Sequence, residues 1–231
     1  MNKQTQRLLA AGCGLLLAFA LLTAALLHVD VRPIGPNGSP VGLAAVNGAV
    51  HQLLGVHLRL YVLTDWLSLA ALPIMLGFAL LGLVQLIRRR SLLRVDGDIL
   101  ALGVFYLAVL GAYLFFEFHV VNYRPVLLSG VLEASYPSST TMLMLCVMVT
   151  AMLQFHRRIQ TPVRRRAVNL LCGLFAAAMI LGRLVSGVHW LTDIVGGGLL
   201  SDGLILLYAA ALSFWDGKRG TDAAHSPEVN P

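Results

Sequence analysis

The chain has 231 residues, of which 58% are hydrophobic and only 12% charged. A water-soluble domain carries about 25% charged residues, so this composition excludes one and leaves no stretch for a second polar domain. The formal net charge of +6 would suit nucleic acid. The basic residues, however, fall in short clusters between apolar runs, with no aromatic-interleaved basic patch, which excludes that partner class.

Apolar runs of about 20 residues are long enough to cross a bilayer as helices. Six occur, at 8–29, 61–87, 99–121, 139–155, 167–185 and 190–215. The first is longer than the apolar core of a signal peptide and lacks a small-x-small exit, so it reads as a transmembrane helix. After Arg32 the stretch 33–40 is dense in Pro, Gly and Asn and reads as a loop. Ser39-Pro40 is an N-cap followed by proline, and Leu43, Val46, Val50, Leu53 and Leu54 then recur at helical spacing. That predicts a short amphipathic helix on the membrane face. No carboxylate or thiol completes a ligand set around its His51 and His57, so neither is read as a metal ligand. Cys13, Cys146 and Cys172 lie inside apolar runs without metal or disulfide spacing. Residues 1–215 form one membrane domain, and 216–231 a short polar tail.

Thirteen of the seventeen Lys and Arg residues sit at the N-terminus, in the second and fourth connectors, and in the tail. The positive-inside rule places these in the cytoplasm, with both termini, and turns the other connectors outward. The fold expected is an all-α bundle of six transmembrane helices in a cell membrane of bacterial kind.

Polar groups at the edge of membrane spans are costly and ask for a reason. Here they gather at the outward ends: Glu117, His119, Arg124, Ser138, Ser139 and Thr140, then Arg183, Ser186, His189, Thr192 and Asp193. Arginine offers a planar fork to phosphate oxygens, and histidine is a competent nucleophile at phosphorus. His189 and Asp193 are four apart and would share a helix face. Asp65, near the outer end of the second span, reads as an interface residue, and Asp202, deep in the last span, is left outside the site.

The order and spacing of these groups resemble the type 2 phosphatidic acid phosphatase and haloperoxidase superfamily. Its motifs are K-x6-R-P, P-S-G-H and S-R-x5-H-x3-D. This chain has Glu117-x6-Arg124-Pro125, Pro137-Ser138-Ser139-Thr140, and Gly182-Arg183-x5-His189-x3-Asp193. The resemblance implies a membrane lipid phosphatase or phosphotransferase acting on a lipid phosphate or diphosphate without metal or other cofactor. His189 would form a phosphohistidine, oriented by Asp193. Arg124 and Arg183 would hold the phosphoryl oxygens, with Ser138, Ser139 and Thr140 adding donors.

Two departures stand out. Glu117 replaces lysine, and Thr140 replaces the histidine that protonates the leaving group. A threonine hydroxyl is too weak an acid for that role, and general acid help is typically worth about 10²–10⁴ in rate. Three readings follow. Glu117, His119 or Glu133 supplies the proton; or the leaving group is itself a phosphate; or the protein is a catalytically silent relative that binds a lipid phosphate or a membrane partner.

Overall fold

The computed structural model describes residues 1–224. It is all-helical, and the described residues contain no strand, only two isolated antiparallel bridges, Arg32 with Val41 and Tyr123 with Ala134. The helices are α1 (Lys3–His28), α2 (Ala44–Leu54), α3 (Leu58–Ser68), α4 (Ala71–Arg89), α5 (Gly97–Phe118), α6 (Ser139–Arg158), α7 (Pro162–Val185) and α8 (Leu191–Ala224). Six spans are long and apolar enough to cross a membrane, α3 and α4 together making the second.

The helices sort into inner and outer. About half of the apolar stretches of α6 and α8 is buried inside the protein, against under a quarter in the other four spans. The outer helices turn Leu17, Leu21, Leu76, Leu107 and Leu170 outward. In water such a surface would aggregate, so it suits lipid tails. α1 lies along α8 because both carry glycine where they cross. A Cβ on Gly12 would reach the Gly203 carbonyl at 3.1 Å, and small residues let membrane helices approach closely. At the end away from the site, Arg89 pairs with Asp96, Arg158 with Asp98 and Arg157 with Asp216.

Several boundaries differ from the pattern of apolar runs. The second span is broken at Leu69 and Ala70, whose amides bond three residues back rather than four. Pro73 has no N–H and its ring crowds the carbonyl four residues earlier, which is Leu69. α5 ends at Phe118 rather than 121. α8 continues past Trp215 to Ala224; the rest of the expected tail, 225–231, lies outside the described residues.

The segment before α2 also departs. Ser39 and Pro40 do not start the helix, because Arg32 and Val41 exchange backbone hydrogen bonds of 3.1 and 2.9 Å around a tight turn. α2 begins at Ala44, and Asp30 serves as its remote cap, accepting from the Ala45 amide at 2.7 Å. Nor does α2 lie free on a membrane face. Its Asn47 is fully buried, donates to the Thr192 hydroxyl at 2.9 Å and accepts from the Thr192 amide at 3.2 Å. α2 is thereby fixed to the start of α8.

Candidate active site

Three connectors at one end of the bundle build the site. The α5–α6 connector, 119–138, folds on itself through the Tyr123–Ala134 bridge. The Arg124 amide donates to Glu133 and the Ser135 amide to Asn122, at 3.0 and 2.9 Å. Arg124, Glu133 and Ser135 are thus held side by side. Ser138 then caps α6, its Oγ accepting from the Thr141 amide and hydroxyl. The first turn of α6, with Ser139 and Thr140, presents the positive end of a helix dipole to the site.

The α7–α8 connector, 186–190, crosses the α2–α3 connector through two glycines in the left-handed region, Gly187 (φ 68°) and Gly55 (φ 69°). A side chain on Gly187 would collide with the Gly55 carbonyl. His189 leaves this turn before α8 begins, so His189 and Asp193 do not share a helix face as their spacing predicts. Asp193, in the first turn of α8, accepts from the Trp190 amide at 2.8 Å, a reciprocal cap of the helix start. Its backbone carbonyl accepts from the Ser138 amide at 3.0 Å, joining the two connectors.

His189 is 3% exposed. Arg124 Nη1 lies 3.2 Å from its Nε2. Arginine only donates, so Nε2 is an acceptor with its lone pair on the Arg124 side, and the ring proton is on Nδ1. Nδ1 is 3.1 Å from Ser135 Oγ and 3.5 Å from Asp193 Oδ2. The Ser135 hydroxyl in turn donates to Asp193 Oδ2. A serine therefore stands in the path between histidine and aspartate. Burial holds the His189 imidazole below its ordinary pKa; Asp193 partly opposes this, and the positive charge of Arg124 adds to it. The neutral form is favoured because the low dielectric penalises the ion.

Two cavities adjoin here. The first, about 260 Å³, is polar; Arg124, Glu133, Ser135 and His189 line it, with Glu117 on its rim. The second, about 340 Å³, runs inward between α4, α5 and α6. Arg183, Asp65 and Thr140 form its polar end, and Tyr106, Val109 and Val147 line its apolar part. Tyr113, Arg124, Ser139 and Met142 belong to both linings.

The structure thus distributes the expected site residues. His189 and Arg124 meet in the first cavity, with Asp193 behind His189. Arg183 makes no hydrogen bond to His189, although its positive charge, like that of Arg124, helps to hold the imidazole's pKa down. It is 3% exposed in the last turn of α7, donating to Asp65 at 2.7 Å and to Thr140 at 2.6 Å, with the Tyr61 ring 4.7 Å away. Ser138 is fully buried as a cap rather than facing a cavity. His119 lies outside both cavities, exposed, stacked on Phe115 at 4.3 Å and bonded to its carbonyl. Asp202 is exposed further along α8. Glu133 pairs with Arg124 Nε at 3.2 Å. Ser135 was not picked out by spacing, although it directly precedes the Tyr-Pro-Ser stretch. Asp65, read as an interface residue, is the counter-charge of Arg183.

The crystal structure of the first transmembrane PAP2-type phosphatidylglycerolphosphate phosphatase from Bacillus subtilis has a similar fold. The TM-score is 0.55 at 19% identity, over 94% of this chain and 98% of that one. No curated protein matches the chain. The sequence model of the PAP2 superfamily matches residues 10–216. With that match reaching all six membrane spans and the three motifs gathered at one end of the bundle, the chain belongs to the PAP2 superfamily.

Proposed function

We propose that the protein is a membrane lipid phosphatase or phosphotransferase that acts on a lipid phosphate or diphosphate through a phosphohistidine at His189, on the non-cytoplasmic side of the membrane. One observation carries the reading. The unprotonated Nε2 of His189 faces the Arg124 guanidinium inside a polar cavity, accepting from it until a phosphoryl group takes that donor, while Nδ1 is tied to Ser135 and Asp193.

The chemistry follows from that geometry. A phosphoryl group on Arg124 brings its phosphorus to Nε2. The lone pair forms the N–P bond as the bond from phosphorus to the leaving oxygen breaks, its electron pair departing with that oxygen. The imidazole gains positive charge, which Asp193 stabilises through Ser135. Arg124 offsets the charge gathering on the phosphoryl oxygens in a site screened from water. Water, or the hydroxyl or phosphate of an acceptor lipid, then takes the phosphoryl group and frees His189.

Thr140 donates no proton to the leaving group and instead accepts from Arg183. Glu117, which makes no hydrogen bond or ion pair among the described residues, is the carboxyl group on the cavity rim free to serve as acid. Glu133 is occupied by Arg124 and by the Ser129 hydroxyl at 2.5 Å. The test uses purified protein in detergent with a panel of lipid mono- and diphosphates labelled in the terminal phosphate. Phosphate release by the parent, with an acid-labile and base-stable label on the protein that His189→Ala lacks, supports the reading. Label retained in His189→Ala would remove His189 from the mechanism.

A further inference from the structure

We infer that Asp65, which lies outside the three motifs, is a positioning residue: held on α3, it aims the buried Arg183 guanidinium at the phosphoryl group. This rests on the phosphohistidine reading and adds a residue that the motifs do not contain.

A buried arginine keeps its charge, so it needs compensation and a fixed orientation. Arg183 is 3% exposed, and α3 supplies much of its surroundings. Tyr61 and Asp65 are four residues apart and share one face of that helix. The guanidinium carbon lies over the Tyr61 ring, 4.7 Å from its centre. The Tyr61 carbonyl accepts from Nη1 at 3.4 Å and the Asp65 carboxylate from Nη2 at 2.7 Å. Nη2 also donates to the Thr140 hydroxyl at 2.6 Å. Two acceptors thus take both hydrogens of Nη2. Asp65 is the carboxylate of this set, and its own side chain is 56% exposed, so Arg183 rather than burial holds it there. Nε has no partner and remains as a donor for an oxyanion.

Two departures from the motifs meet at this contact. Gly182 stands where the motif has serine, and a Cβ there would come within 2.7 Å of the Thr64 methyl. Thr64 is not free to turn aside, because its hydroxyl donates to the Leu60 and Tyr61 carbonyls. Glycine therefore lets α3 lie against the last turn of α7, which brings Asp65, the next residue, to Arg183. The His57 amide ties the start of α3 to the same place, donating to the Ser186 carbonyl at 2.9 Å. Thr140 stands where the motif has histidine. Its hydroxyl accepts from Nη2, which the protonated histidine of an acid could not do. Gly182, Thr140 and Asp65 make one arrangement around Arg183.

The aim of Arg183 matters to the site at His189. Its positive charge, after that of Arg124, favours the neutral imidazole. Arg183 also lines the cavity that shares Arg124 and Ser139 with the His189 cavity. A guanidinium fixed in that place offsets charge on the phosphoryl oxygens as the N–P bond forms. Asp65 lines only the second cavity and works through Arg183.

The experiment uses the full chain in detergent, with orthovanadate as the binding probe and a lipid phosphate as substrate. Asp65→Asn keeps the shape and removes the charge. It should weaken orthovanadate binding and lower kcat/KM, each by about 10- to 100-fold, the cost of a misplaced catalytic group. Asp65→Glu should recover part of both. Beside Arg183→Gln, Asp65→Asn should add less than about twofold, because the group that it aims is gone. Unchanged binding in Asp65→Asn, or a loss that persists in full beside Arg183→Gln, would overturn the positioning role. So would a loss that Asp65→Glu does not relieve and that follows a lowered Tm. A parent that binds no orthovanadate has no oxyanion for Arg183 to meet, and the role falls with it. A coupled loss of binding without label on His189 in the parent keeps Asp65 as the positioner and removes the phosphohistidine. Label on His189 without coupling does the reverse.

Discussion

Between His189 and Asp193 stands a hydroxyl. Nδ1 is nearer to Ser135 Oγ (3.1 Å) than to the carboxylate (3.5 Å), so Ser135 sets the ring's tautomer and aim. Ser135→Ala is expected to lower kcat about tenfold to a hundredfold with little change in KM. Ser135→Thr, which keeps the hydroxyl, should recover part of the loss; steady-state kinetics on any turned-over lipid phosphate checks both, and a change confined to KM would refute the positioning role. The pH profile belongs to the same pair. Burial lowers the His189 pKa and Asp193 raises it in part, so the neutral nucleophile persists as pH falls through the ordinary histidine value of 6.5. The acid limb of kcat/KM is expected below that value, and Asp193→Asn should move it lower still while slowing turnover. A limb at or above 6.5 in the parent would contradict the burial argument. Of these residues, His189, Asp193 and Arg124 were legible in the sequence because their spacing is fixed by motif. Ser135 and Asp65 were not, since a serine in a loop and an aspartate at a span end have ordinary explanations until a partner far along the chain is seen.

At the scale of elements, the site depends on how closely α8 approaches the α5–α6 connector. Gly196 and Gly197 make that approach possible. A Cβ on Gly196 would collide with the Tyr136 ring, and one on Gly197 would stand 3.1 Å from the Ser138 carbonyl. Tyr136 is itself fixed, stacked on Phe19 and hydrogen-bonded to Thr23 at 2.8 Å. It cannot yield, so a methyl at 196 would push α8 outward and stretch the Ser138–Asp193 backbone bond. Gly198 has nothing within 4 Å of its Cβ position. Gly196→Ala is therefore expected to cost about 1–3 kcal/mol and most of the activity, and Gly198→Ala to be nearly silent in both. Thermal unfolding in detergent with turnover beside it checks the pair; equal effects would mean the glycines serve only lipid packing. The sequence shows the glycine run but not its partner, because a small residue tells that something can come near and not what. The break between α3 and α4 is similar. The span read as one run, 61–87, passes straight through Pro73, and the short α3 that carries Asp65 to Arg183 emerges only from the packing.

The whole molecule is polarised along its axis. Six crossings bring the first, third and fifth connectors to one end, which is why motifs separated by more than a full helix converge there; their parity was legible from hydropathy alone. The other end carries Arg88, Arg89 and Arg90 at the close of α4 and Arg157 and Arg158 at the close of α6. Clusters of arginine are held on the cytoplasmic side during insertion, so the cavities should open outward. Two positions test this with minimal disturbance, Leu127 in the α5–α6 connector and Leu93 in the α4–α5 connector, both exposed. Cysteine is placed at each in turn, with Cys13, Cys146 and Cys172 replaced by serine or alanine. A membrane-impermeant thiol reagent applied to intact cells should label Leu127→Cys and spare Leu93→Cys, and permeabilised cells should label both. The reverse pattern would place the phosphate chemistry in the cytoplasm. Substrate would then have to come from the inner leaflet, and the arginine clusters would face outward against the rule that governs their placement.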